Sequence, residues 1–247
     1  MPKYIILDTE TTGTEEEDRI IQLGFIVLGK PSEPIEVYNE FCSPDLPIKI
    51  RAMEVHGITP EMIAGKPACT QMMAYQKLMQ YNSSENYLLI HNAKFDLTML
   101  EKEGFVNKTQ VIDTLRCAKH LFADAGAHRL QYFRYALDLY KQEEAEAQKL
   151  GIVVKAHDAI GDVLVLKLFM SKLVEEAKKL YGAVDVMKKL VELTNTPVFI
   201  KTFSFGKHKG KLLEEVARDD SGYLDWMQRS MDLDEDMKYS IQKVLHG

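Results

Sequence analysis

The chain has 247 residues with 46% hydrophobic, 28% charged and 9% aromatic content, the balance of a globular protein with a real core, and its length fits one large domain plus a small appendix. A formal net charge of −6 excludes a protein that holds a polyanion by overall charge alone. Asp8 and Glu10 interrupt the first apolar run and no apolar stretch reaches about 18 residues, so neither a signal peptide nor a membrane helix is expected, and the expected location is cytoplasmic.

Taken in chain order, Tyr4 to Leu7, Arg19 to Leu28 and Ile35 to Phe41 read as three strands joined by turns that contain Gly and Pro. The acidic run Glu15-Glu16-Glu17-Asp18 between the first two reads as a solvated turn. Thr59-Pro60-Glu61 is a helix start, and a further helix is expected near 70–81, where the methionines from Met72 to Met79 read as core packing. Tyr87 to Ile90 is a buried strand ahead of a helix from Phe95 to Lys102, which Gly104 stops. Val111 and Ile112 lead into another helix.

Segments 128–149 and 158–180 read as helices, the second with Ile160, Val163, Leu164, Phe169, Leu173, Val174, Ala177 and Leu180 on one broad face. The order predicts an α/β fold with a mixed sheet. A linker is expected over 181–198, through Gly182 and Thr194-Asn195-Thr196-Pro197, dividing a domain at 1–180 from a small one at 199–247. Cys42, Cys69 and Cys117 lack the paired spacing of a zinc or redox motif and read as reduced structural thiols.

Three segments concentrate carboxylates. In Asp8-Thr9-Glu10-Thr11-Thr12-Gly13 two acids stand at i and i+2 after an apolar strand, so both face one side. Like charges aimed together call for a cation or a shared proton, and a hard divalent ion takes such oxygen ligands. In His91-Asn92-Ala93-Lys94-Phe95-Asp96 a strand end opens into a helix with Asp96 in its first turn, where the helix dipole alone would also favour an acid. Asn92 could bond a phosphate or its local backbone, and His91 reads as structural. In His157-Asp158-Ala159-Ile160-Gly161-Asp162 another helix opens; the residues alone leave Asp158 and Asp162 as alternatives for a metal-facing role.

These segments, in this order, resemble the three motifs of the DnaQ-like 3′-5′ exonucleases, in the subfamily whose last motif contains histidine. Val55-His56-Gly57-Ile58-Thr59 and Asp113-Thr114 are similar to a substrate-side loop and a strand-to-helix junction of polymerase III epsilon-type exonucleases, and the likeness covers about residues 3–175. The resemblance implies a ribonuclease H-like mixed central sheet flanked by helices, Asp8, Glu10, Asp96 and Asp162 as ligands of two divalent ions, Mg²⁺ or Mn²⁺, and His157 as general base. It selects Asp162 over Asp158. It further implies that Thr11, Thr12 and His56 lie near the terminal nucleotide of the substrate.

Residues 196–213 hold Lys201, Lys207, Lys209 and Lys211 and no acid, with Phe203, Phe205 and two glycines among them. Aromatics beside lysines suit contact with nucleic acid, by Lys207 and Lys209 foremost. From Glu214 to Asp236 nine acids face only Arg218 and Arg229. The run FSFGKHKGKLLEEV with YLDWM is similar to the C-terminal domain of exodeoxyribonuclease X-like proteins; Tyr223 and Trp226 read equally as core of this small domain or as residues that stack on bases. The expected function is a metal-dependent 3′-5′ exonuclease releasing nucleoside 5′-monophosphates from single-stranded DNA or DNA 3′ ends, in DNA repair or replication. The alternatives are a proofreading subunit bound to a DNA polymerase, or a non-catalytic nucleic-acid-binding module.

Overall fold

A computed structural model describes residues 1–152 and 158–246; His157 lies outside the described residues. Two compact units are present, Met1–Thr194 and Asn195–Gly247.

The first unit is built on a five-stranded mixed sheet. Its strands are β1 (Tyr4–Thr11), β2 (Ile20–Leu28), β3 (Glu36–Phe41), β4 (Tyr87–Ile90) and β5 (Gln110–Asp113), in the order β3-β2-β1-β4-β5. β1 pairs antiparallel with β2 and parallel with β4. β2–β3 is antiparallel and β4–β5 parallel. The first strand runs four residues past the expected Leu7, so Asp8 and Glu10 lie within the ladder, opposite Gly24 and Gln22.

The helices of this unit are α1 (Ile50–His56), α2 (Pro60–Ile63), α3 (Met73–Tyr81), α4 (Ala93–Lys102), α5 (Thr114–Leu121), α6 (Leu130–Ala136), α7 (Tyr140–Leu150), α8 (Ala159–Tyr181) and α9 (Val186–Asn195). Strand alternation assigns the layers. Ile5, Leu7, Phe25, Leu88 and Ile90 pack with Ala74, Tyr75 and Leu78 of α3 and Met99 and Leu100 of α4. Ile6, Ile26, Leu89 and Ile112 point the other way, onto Ile160, Val163 and Phe169 of α8 and onto α5, α6 and α9. Both faces of β1 and β2 are thereby covered, which is why these strands read as near-continuous apolar runs.

Several expectations are corrected. The 128–149 helix is two helices, α6 and α7, separated at Asp138, whose φ of 56° lies in the left-handed region; aspartate is among the few side chains that tolerate it. Most of the 181–198 linker is helix α9, with Leu190 and Leu193 buried against the sheet layer, and its short apolar stripe was masked by the polar residues that follow. Of the methionines, Met72 is buried while Met73 and Met79 are exposed, and Leu180 of α8 is exposed as well. Asp18 is not solvated: it is buried, bonded by Lys49 Nζ at 2.7 Å, the Glu15 N–H at 2.7 Å and the Thr12 hydroxyl at 2.8 Å. Burial would raise its carboxyl, and these donors together hold it below its ordinary value. The three cysteines are free and buried.

The second unit comprises α10 (Leu213–Asp219), α11 (Ser221–Ser230) and α12 (Glu235–His246) around Phe203, Leu213, Val216, Leu224, Met227, Leu233, Met237 and Ile241. A loop before α10 is closed by the Thr202–Leu212 bridge. Among the described residues, no helix is long and apolar enough to cross a membrane.

Candidate active site

Alternation along β1 sends Asp8 and Glu10 to the same side as Ile6, the side covered by α8. There they meet Asp162 in the first turn of α8, and one carboxylate oxygen from each of Asp8, Glu10 and Asp162 lies within 4.8 Å of the others. Thr9 points oppositely, toward α4, and holds the buried Asp96: the Thr9 N–H and hydroxyl donate to Asp96 Oδ1 at 3.0 and 2.7 Å. One strand thus presents two acids directly and fixes a third from the facing layer.

The electrostatics are those of a crowded anionic site. Burial pushes the Asp8 carboxyl well above the usual range, with Asp96, Glu10 and Asp162 adding to the rise. Burial, then repulsion from Asp162 and Asp96, raises Glu10 to about 8. Burial raises Asp96 to about 7 against the two opposing bonds from Thr9. Such a group is stabilised by a cation, and oxygen donors of this kind fit a hard divalent ion.

Asp158 and Asp162 are placed differently. Asp158 occupies the N-cap position of α8, but its carboxylate turns to Gln22 Nε2 and, at 3.5 Å, to Asn39 Nδ2. Gln22 Oε1 in turn accepts the Ala159 N–H. Asp158 therefore pins the helix start to β2 and β3, while Asp162 reaches the acids. Close approach also requires Gly24, since a Cβ there would stand 2.9 Å from the Ala159 carbonyl carbon and the Ile160 nitrogen.

Sequence reasoning missed the residues that orient these acids. Gln131 Nε2 donates to Asp162 Oδ1 at 2.7 Å, Arg134 donates to Gln131 Oε1 at 3.3 Å, and Arg134 makes a two-pronged pair with buried Glu143, both bonds 2.6 Å. The chain Glu143–Arg134–Gln131–Asp162 spans the break between α6 and α7, and no local pattern marks it. Asp113 was noted only as a junction. Its carboxylate accepts from Asn92 and Ala93 at the start of α4 and from Leu115 and Arg116 at the start of α5, at 2.9 to 3.2 Å. One side chain thus seats two helix N-termini, one of which carries Asp96.

The expected substrate contacts fare differently. The Thr11 hydroxyl donates to Gly13 O and the Thr12 hydroxyl to Asp18, so both are engaged in the turn. His56 is buried: the Ile58 N–H donates to its Nδ1, which leaves Nε2 as the donor to Thr11 O at 3.1 Å. Burial lowers its pKa, keeping that neutral form. His91 bonds Thr114 and His128 O, and burial lowers it to about 4. Asn92 is exposed with φ 72°, beside a groove lined by Lys94, Phe95, Thr98 and Lys102. Lys207 and Lys209 belong to the second unit, where both are exposed and Lys207 pairs with Asp220 at 2.7 Å.

Comparison with known proteins places the chain in a family. The family model described as Exonuclease matches residues 5–169, and one described as Exodeoxyribonuclease X-like C-terminal matches residues 203–229. The chain belongs to the exonuclease family and is a nuclease, a hydrolase. It is 28% identical over 235 residues to Exodeoxyribonuclease 10 of Escherichia coli (strain K12), covering 92% of this chain and 91% of that protein. It is 28% identical over 184 residues to DNA polymerase III PolC-type of Clostridium perfringens (strain 13 / Type A), 70% of this chain but 12% of that protein. Among solved structures, exonuclease X in complex with 5′ overhanging duplex DNA superposes with a TM-score of 0.57 at 19% identity, over 79% of this chain and all of that one. E. coli Exonuclease I with a dA16 oligonucleotide gives 0.50 at 21% identity, over 71% and 41%. The fold is the ribonuclease H-like mixed sheet flanked by helices.

Proposed function

We propose that the chain is a metal-dependent 3′-5′ exodeoxyribonuclease that releases nucleoside 5′-monophosphates from DNA 3′ ends. The observation that carries this is the convergence of Asp8, Glu10 and Asp162 within 4.8 Å of one another, with Asp96 held by Thr9 near enough for its charge to raise the Asp8 carboxyl. Asp8, Glu10, Asp96 and Asp162 would hold two divalent ions, Mg²⁺ or Mn²⁺. Held by these carboxylates, two divalent ions would supply relief of phosphate charge and help for the attacking water and the departing oxygen. Thr9 and Gln131 keep two of the acids aimed, and the Asp158–Gln22 bond ties the start of α8 to β2. His157, next in sequence to Asp158, is assigned as general base, since a neutral imidazole can take a proton from water.

The similarity to Exodeoxyribonuclease 10 over most of both chains, together with the C-terminal match, favours a free-standing enzyme over a polymerase-bound proofreading subunit. Digestion of 5′-labelled single-stranded DNA, duplex DNA and RNA with Mg²⁺ tests the reading. Stepwise shortening of DNA with mononucleotide products is expected. Preference for RNA, or shortening from the 5′ end, would overturn it.

A further inference from the structure

The second unit carries an aromatic pair that its own core uses only in part. Tyr223 is half-buried against that core, whereas Trp226 lies outside it and is 50% exposed. Leaving the largest apolar side chain half in water forgoes burial that a small unit needs. The two rings are stacked, with centroids 5.6 Å apart and planes at 27°. The ammonium of Lys207 sits 4.6 Å from the Tyr223 centroid, and His208 meets the same ring edge-on at 4.9 Å.

The arrangement is held in place. Asp220 Oδ2 accepts from Lys207 Nζ at 2.7 Å and faces His208 Nε2 at 3.0 Å, tying the loop to the start of α11. The loop closes on itself through Gly210 N to Phe203 O at 2.8 Å and Phe203 N to Lys211 O at 3.0 Å. Gly206, at φ 69°, admits the Tyr223 hydroxyl where a Cβ would lie 2.7 Å from it. Around Trp226 the surface is open: Gly222 and Ser230, four residues before and after, share its stripe of the helix, and a Cβ at Gly222 would meet nothing within 4 Å. Asp225 is turned about 100° away around the helix. The loop itself supplies exposed Lys207, Lys209 and Lys211, with no acid between residues 196 and 213.

We propose that this surface binds single-stranded DNA, bases stacking on Trp226 as the next ring beyond Tyr223 and phosphates lying against Lys207 and Lys209. The inference rests on the reading of the chain as a DNA exonuclease and adds a second DNA contact, away from the carboxylates in sequence and in fold unit. A flat aromatic beside cations suits unpaired bases on a charged backbone, whereas duplex DNA hides its base faces.

Trp226 is the chain's one tryptophan, so its emission reports the contact directly. The full-length protein, in chelator to prevent hydrolysis, is titrated with a short oligothymidylate and with an abasic strand of equal length. Saturable quenching by oligothymidylate is expected, with affinity about tenfold weaker for the abasic strand. A Lys207→Gln, Lys209→Gln double variant should bind more weakly and with a shallower salt dependence. No quenching, or equal quenching by the abasic strand, overturns the proposal. Hydrolysis of thymidine 5′-p-nitrophenyl phosphate with Mn²⁺ separates the two readings. If that hydrolysis is absent while quenching persists, the proposed activity fails and the platform stands. If hydrolysis persists without quenching, the platform alone fails.

Discussion

At the scale of single residues, the acids of β1 were legible because strand parity is written in the sequence: positions 8 and 10 must share a face, and that face received α8. The residues that place α8, Asp162 and the helix carrying Asp96 were not legible, because Gln131, Gln22 and Asp113 work through partners 20 to 136 positions away. Two predictions follow from the same geometry. Glu10 rises from 4.5 to about 8 and Asp96 from 3.8 to about 7 in the fold. Between these values the folded protein retains protons that the unfolded chain has released, so rising pH favours unfolding. The metal-free protein is therefore expected to lose thermal stability from about pH 5 to pH 8, and millimolar Mg²⁺ should flatten the curve. Melting curves across that range with and without chelator check this, and a metal-free midpoint that climbs with pH would contradict it. Gln131→Ala removes the bond that orients Asp162 and should lower activity about 10- to 100-fold, partly restored by excess metal. Rate against Mg²⁺ concentration measures it, and an unchanged profile would show that Gln131 does not position Asp162.

At the scale of elements, most strands and the long α8 were readable from period and length, since burial on both faces of β1 and β2 leaves continuous apolar runs. What failed to show was α9, whose short stripe precedes a polar turn, and the division of α6 from α7, which depends on one aspartate in a left-handed conformation. The placement of α8 against the sheet is set by an absence of side chain at Gly24. Gly24→Ala is expected to push α8 outward, costing about 1–3 kcal/mol of stability and lowering turnover by displacing Asp162 from Asp8 and Glu10. Denaturant midpoints and turnover of the variant test this together. Full activity at unchanged stability would mean that the helix has room the structure does not show.

At the scale of the whole molecule, the net charge of −6 describes the protein poorly as a nuclease. Four acids are assigned to the proposed metal site, and two bound divalent ions would bring the formal sum to −2. The lysines of 196–213 precede nine acids at 214–236 in sequence, and only Lys207 among Lys207, Lys209 and Lys211 is described in a pair with one of them, Asp220. The two units have separate cores, and the second is small enough to be marginal by itself. Unfolding in urea followed by Trp226 emission should therefore precede the loss of far-ultraviolet circular dichroism, which the first unit dominates. Coincident transitions would instead indicate one cooperative molecule.

The most direct test of the central claim is the rate at which Asp162→Asn shortens a 5′-labelled single strand in Mg²⁺, set against the unaltered protein with Mg²⁺ and with chelator. The carboxylate site predicts a loss of more than about 100-fold in the variant, matching the loss in chelator, with circular dichroism unchanged. Comparable shortening by the variant, or by the unaltered protein in chelator, would contradict it.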